Sequence, residues 1–139
     1  MTGKPVNIEN FRDKVVVLKV WDLGCQRCFA HEETFQKIEK ALGDRIQVIG
    51  VAQNNGEEAL ERIRTHCREE KIAWPQWQID PVSRERLGIL SVPAYFVIDQ
   101  EGVLVETEKD VAVTNPGGRL INEVGLVKYL FDLSKSTPK

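Results

Sequence analysis

The chain has 139 residues and a formal net charge of −2, with 42% hydrophobic and 29% charged residues. That length suits a single domain with a core of its own, and the expectation is one domain over residues 1–139. The near-neutral charge, with acidic and basic residues interspersed, gives no electrostatic case for nucleic acid or for an anionic membrane, and no apolar stretch is long enough to span a bilayer.

The pattern along the chain alternates short apolar runs with amphipathic stretches. Pro5 to Ile8 is a short extended candidate, and Glu9 to Lys14 reads as a turn. Val15 to Trp21 is nearly all apolar and β-branched, as befits a central strand covered on both faces. Phe29 to Leu42 has helical periodicity (Phe35, Ile38, Leu42) and Gly43 as its stop. Arg45 to Ala52 reads as the next strand, so that strand–helix–strand implies a right-handed parallel crossover.

After the turn Asn54-Asn55-Gly56, a helix is expected over Glu57 to Lys71, with Leu60, Ile63 and Cys67 on one side. Trp74 to Ile79 is extended and interrupted by Pro75. Asp80 caps a short helix that has Pro81 in its first position and ends near Leu87 and Gly88. Ala94 to Ile98 is a strand, Asp99 to Gly102 a hairpin turn, and Val103 to Glu106 the returning strand. Asn115-Pro116-Gly117-Gly118 is a turn, and Glu123 to Leu133 reads as a closing helix.

The chemistry-bearing motif is Cys25-Gln26-Arg27-Cys28, at the junction of the first strong strand and the helix after it. A helix N-terminus offers unpaired N–H groups and partial positive charge, so a thiol there ionises readily, and the thiolate is the nucleophile. Two intervening residues bring the second sulfur within reach of the first, one turn along. One thiolate can then attack a partner's disulfide and the other can resolve the mixed disulfide. Cys25 is the expected nucleophile and the more exposed thiol; Cys28 is the partly buried resolver.

A metal site competes, because Cys25, Cys28 and His31 are regularly spaced. Structural zinc takes four ligands, usually in two pairs, and only His66 and Cys67 remain as candidates without a second paired motif. No metal and no other cofactor is expected. Cys67, on the apolar side of its helix, reads as a small buried hydrophobe rather than a third redox thiol. Trp21, Trp74 and Trp77 read as packing groups, and neither His31 nor His66 is assigned a catalytic role.

Lys19 is an unusual residue for the middle of a central strand. One reading puts its ammonium under the dithiol, where it favours the thiolate or shuttles a proton. The other, slightly preferred on sequence alone, has it snorkel from the sheet face to solvent. Arg27 places a cation near the nucleophile and is expected to lower the Cys25 pKa; Asp22 opposes it if close.

Together these motifs resemble the thioredoxin-like superfamily, and within it the TlpA/ResA group of thiol-disulfide oxidoreductases, related to the alkyl hydroperoxide reductase/thiol-specific antioxidant (AhpC/TSA) families. The resemblance runs from about Gly3 to Glu106 and rests on three pieces: Gly3-Lys4-Pro5-Val6-Asn7-Ile8 with Phe11-Arg12-Asp13-Lys14, Val15 to Cys28, and Ser91-Val92-Pro93 with the strand to Asp99. It implies an α/β fold with a central mixed sheet flanked by helices. The stretch from Asn54 to Leu90 matches the branch's extra strand and helix.

The resemblance also implies that Pro93 is a cis-proline facing the dithiol, with Val92 backbone free to pair with an extended peptide. Trp21, Gly24 and Arg27 are then expected at the partner-binding surface. The sequence departs from the family at Gly24 (usually Trp), Arg27 (usually Pro) and Lys19 (often Asp or Asn), which bears on redox potential and partner choice.

The expected function is thiol-disulfide exchange with protein dithiols or disulfides by a monomer. Two alternatives stand beside it: a peroxiredoxin-like peroxide reductase, against which Asp22 argues, and a non-catalytic thioredoxin-like module of a larger protein. Met1-Thr2-Gly3-Lys4 has no apolar signal region, and the chain reads as a domain excised from a longer protein. The resemblance favours an extracytoplasmic setting, periplasmic or tethered, over a cytoplasmic one.

Overall fold

In a computed structural model that describes residues 11, 13–89 and 92–107, the apolar run forms the middle of a sheet. Strand β1 is Val15–Trp21. Strands β2 (Ile46–Ala52), β3 (Gln76–Gln78), β4 (Ala94–Ile98) and β5 (Leu104–Thr107) complete five strands in the order β3-β2-β1-β4-β5. β1 pairs parallel with β2 and antiparallel with β4, so the sheet is mixed as expected. Flanked by both neighbours, β1 exposes neither edge, which suits its β-branched composition.

Helices α1 (Gln26–Leu42), α2 (Glu57–Glu69) and α3 (Pro81–Arg86) connect these strands. Val15, Val17 and Trp21 share one buried cluster with Phe35, Ile38 and Leu42 of α1 and Ile63 and Cys67 of α2. Val16 and Val20 belong to a second cluster with Ile49, Val51, Ala94 and Ile98. The period-two alternation of a strand therefore assigns Lys19 to the face that carries α1 and α2.

Several element boundaries moved for physical reasons. Helix α1 begins at Gln26 rather than Phe29, because Cys25 is its N-cap: the Cys28 N–H donates to the Cys25 sulfur at 3.1 Å. Helix α2 ends before the expected Lys71, whose φ of 57° is left-handed. Strand β3 is shorter than the extended stretch Trp74 to Ile79, since Pro75 has no N–H for a ladder. Strand β5 starts at Leu104, because Asp99 Oδ1 accepts from Val103 N–H and keeps Val103 in the turn. The expected segment Pro5 to Ile8, the turn at 115–118 and the helix Glu123 to Leu133 lie outside the described residues.

Gly50 of β2 lies beside Lys19 in the ladder, and its missing side chain leaves room for another. A Cβ there would overlap the Gln76 side-chain amide. That amide accepts a hydrogen bond from Trp21 Nε1 at 2.9 Å. Gly50→Ala is expected to displace Gln76 and strand a buried indole N–H, at about 1–3 kcal/mol of stability. Chemical denaturation checks this; an unchanged midpoint would show that Gln76 moves aside at no cost.

Candidate active site

The loop between β1 and α1 is held from three sides. Gly24 N–H donates to Asp22 Oδ1 at 2.7 Å, and Cys25 N–H to the Asp22 carbonyl at 3.1 Å. Leu23 N–H donates to Asn54 Oδ1 at 2.7 Å, which ties the loop to the end of β2. Cys25 is therefore presented from a fixed turn, with extended backbone (φ −95°, ψ 99°) suited to an N-cap.

Cys25 and Cys28 form a disulfide, with their Cα atoms 5.2 Å apart. Cys25 is partly exposed and Cys28 is fully buried, so Cys28 is deeper than the partial burial expected of it. An attacking sulfur can reach only the outer atom. After reduction, the Cys28 N–H that bonds Cys25 remains available to stabilise a thiolate there, together with the helix N-terminus.

The Val92–Pro93 peptide bond is cis. Ala94 pairs with Val20, so the ladder brings Pro93 level with the C-terminal end of β1, where the dithiol loop starts. Val92 and Cys25 pack against the same buried cluster. Gly24 and Arg27 are exposed beside Cys25. Trp21 is the packing group its sequence reading made it and does not line the partner surface: it is 1% exposed, and its ring is covered by Phe29 and His66.

Lys19 does not snorkel, which overturns the preferred reading of it. The residue is 1% exposed, and its ammonium donates to the Cys28 carbonyl at 3.3 Å. The route to solvent is closed because α1 and α2 cover that face of the sheet. Burial brings its pKa down to about 8, against the opposing pull of Glu32 and, more weakly, Cys67.

Around Lys19 lies a set of polar groups that no spacing motif announced. His31 Nδ1 and the Tyr95 hydroxyl share a hydrogen bond. Burial, then the charges of Lys19 and Arg27, bring the His31 pKa down to about 4, so it is neutral at ordinary pH. His66 Nε2–H donates to Glu32 at 2.8 and 3.0 Å, joining α2 to α1. The usable signal was helical: Cys28, His31, Glu32 and Phe35 share the buried stripe of α1, so His31 and Glu32 occupy core positions. Cys67 is buried, as expected, and burial pushes its thiol pKa up.

Leu23, Phe29, Glu61, Arg62, Thr65, His66 and Glu69 line a groove of about 410 Å³ between α1 and α2. No group of His, Cys, Asp and Glu that could hold a metal ion occurs among the described residues. No helix among them is long and apolar enough to cross a membrane.

Solved structures share the fold of this chain. A thiol-disulfide isomerase from Corynebacterium glutamicum superposes with a TM-score of 0.79 over 98% of this chain and 90% of its own, at 20% identity. A secreted disulfide oxidoreductase from Mycobacterium tuberculosis gives 0.72 over 95% and 91%, at 16% identity. The fold is thioredoxin-like. In sequence, the thioredoxin-like protein YneN of Bacillus subtilis matches at 19% identity over 104 residues, 75% of this chain. The chain spans 61% of that relative's length. No protein-family model matches the sequence. Within this thioredoxin-like frame, Cys25–Cys28 heads the first helix and cis Pro93 opens β4.

Proposed function

We propose that this chain is a thiol-disulfide oxidoreductase that exchanges the Cys25–Cys28 pair with disulfides or thiols of protein partners. The observation that carries the reading is the asymmetric disulfide at a helix N-cap, with Cys25 partly exposed and Cys28 buried, its backbone carbonyl bonded by a buried lysine. An inert structural bridge has no need of that arrangement.

In the reducing direction, the Cys25 thiolate attacks a partner disulfide. One partner sulfur leaves as thiolate and a mixed disulfide forms on Cys25. Cys28 then attacks the Cys25 sulfur, the ring closes, and the second partner sulfur leaves. The dithiol loses two electrons and the partner disulfide gains them. Val92 and Pro93 offer backbone to an extended partner segment by strand addition, with Gly24 and Arg27 at the rim. Lys19 acts from beneath, where its charge favours ionisation of the nearby thiol.

The similar isomerase and oxidoreductase support the activity, and the secreted one supports an extracytoplasmic setting. The peroxidase reading is less well supported: the Asp22 carboxylate is taken up by the Gly24 N–H, and no hydroxyl side chain stands in its place.

Insulin reduction in the presence of a small dithiol tests the reading. Wild-type protein is expected to accelerate insulin precipitation, and Cys25→Ser to return it to the uncatalysed rate. Equal rates for the two proteins would instead favour a non-catalytic module.

A further inference from the structure

Two side chains outside the dithiol mechanism meet at its underside from different helices. Glu32 lies one helical turn beyond Cys28 on α1 and is 7% exposed. His66 of α2 donates Nε2–H to both of its oxygens. The imidazole is itself clamped, with ring centroids 4.7 Å from Phe29 and 5.4 Å from Trp21. Such a carboxylate cannot swing to solvent, and its charge is fixed in place.

A buried carboxylate is tolerated only where donors and opposite charge answer it. His66 supplies the donor, and the buried cation is Lys19, which lies on the β1 face that α1 covers and bonds the Cys28 carbonyl one helical turn before Glu32; the Glu32 charge raises its pKa against burial. The other titratable or charged groups around the lysine are His31 and Arg27 from α1, Cys67 from α2 and Tyr95 from β4. His31 is neutral, Cys67 is held as a thiol, and Arg27 is exposed. Of all these groups, Glu32 gives the strongest opposition to the burial that strips the lysine of its proton, ahead of Cys67.

We propose that Glu32 and His66 form a positioning pair that keeps Lys19 cationic beneath Cys28, and that the Cys28 thiol ionises for the resolving step because of it. This rests on the oxidoreductase reading. In the step, the Cys28 S–H proton passes to solvent and the Cys28 sulfur attacks the Cys25 sulfur. The Cys25–Cys28 bond forms, the bond from Cys25 to the partner breaks, and the partner sulfur leaves with the electron pair. Lys19 takes up no proton; it acts through its charge.

The test is a thermodynamic cycle read at Cys28 itself. In Cys25→Ser protein, the carbon-13 shift of the Cys28 Cβ is followed against pH. Glu32→Gln is expected to raise the Cys28 midpoint while Lys19 is present, leaving about tenfold less thiolate. In Lys19→Met protein the same change is expected not to raise it, because only the removal of a repelling anion remains. His66→Ala follows Glu32→Gln in direction; His66→Gln, which keeps an N–H for the carboxylate, restores the wild-type midpoint.

A shift of the same sign and size in both lysine backgrounds overturns the pair, as does a lowered midpoint in the lysine-containing protein. The titration needs no turnover. Failure of insulin reduction therefore removes the functional reading, whereas good turnover with lysine-independent shifts removes the positioning pair alone.

Discussion

Between pH 8 and 10.5 the wild-type protein is expected to grow more stable, and Lys19→Met to lose that rise. Burial holds the Lys19 pKa at about 8, below the ordinary lysine value of 10.5. In that window the unfolded chain carries a proton on Lys19 that the folded chain has released. Stability rises with pH wherever the unfolded state binds more protons. The contribution is present above the unfolded pKa and is lost as the pH falls through the folded value. Its full size is roughly 3 kcal/mol.

Urea denaturation at a series of pH values, with the variant subtracted from wild type, isolates the effect from other lysines and tyrosines. Parallel curves would mean that the amine reaches water, contrary to its burial. A charge kept at this cost in the central strand is expected where function rather than stability selects the residue.

The second large effect lies on the acid side. Acidification from pH 6.5 to 4 is expected to destabilise the wild type through His31, by about 1–2 kcal/mol once solvent screening of the ring is allowed for. Burial first, and then Lys19 and Arg27, depress its pKa from 6.5 to about 4. The folded state therefore refuses a proton that the unfolded chain accepts, and stability is lost as the pH falls through that window. His31→Asn, which retains a polar group for Tyr95, is expected to flatten this limb. Thermal melts across the range check it; an equally steep limb in the variant would assign the acid sensitivity to carboxylates.

The parts of the site that were legible in the sequence are those set by local rules. The strand Val15–Trp21 declared itself by composition, and the two cysteines by their spacing at the strand's exit. Pro93 came from the family resemblance rather than from a local rule, and its peptide bond is cis. Apolar periodicity began the α1 stretch only at Phe29, whereas the dithiol itself was placed at the helix start, where Cys25 is the cap.

The fate of Lys19 depended on what covers the sheet, which strand patterning does not reveal. The sequence makes Trp21 a packing group that, being near the dithiol, could also line the partner surface; strand alternation puts it on the same covered face as Val15 and Val17, and only the packing role holds. The Glu32–His66 contact joins residues 34 apart in sequence, and nothing local announces such a meeting. Charged residues on an otherwise apolar helical stripe were the signal to follow.

Lys19 belongs to the sheet and Cys28 to the helix, and the 3.3 Å bond between them spans the seam. Helix α1 is a single rod whose far half, at Phe35, Ile38 and Leu42, sits in the same hydrophobic layer. Any remodelling of that layer tilts the rod and changes the gap at its sulfur-bearing end. The acidity of a reactive atom is thus geared to side chains several turns away, and drift in the packing of this protein would register as a change in its redox character.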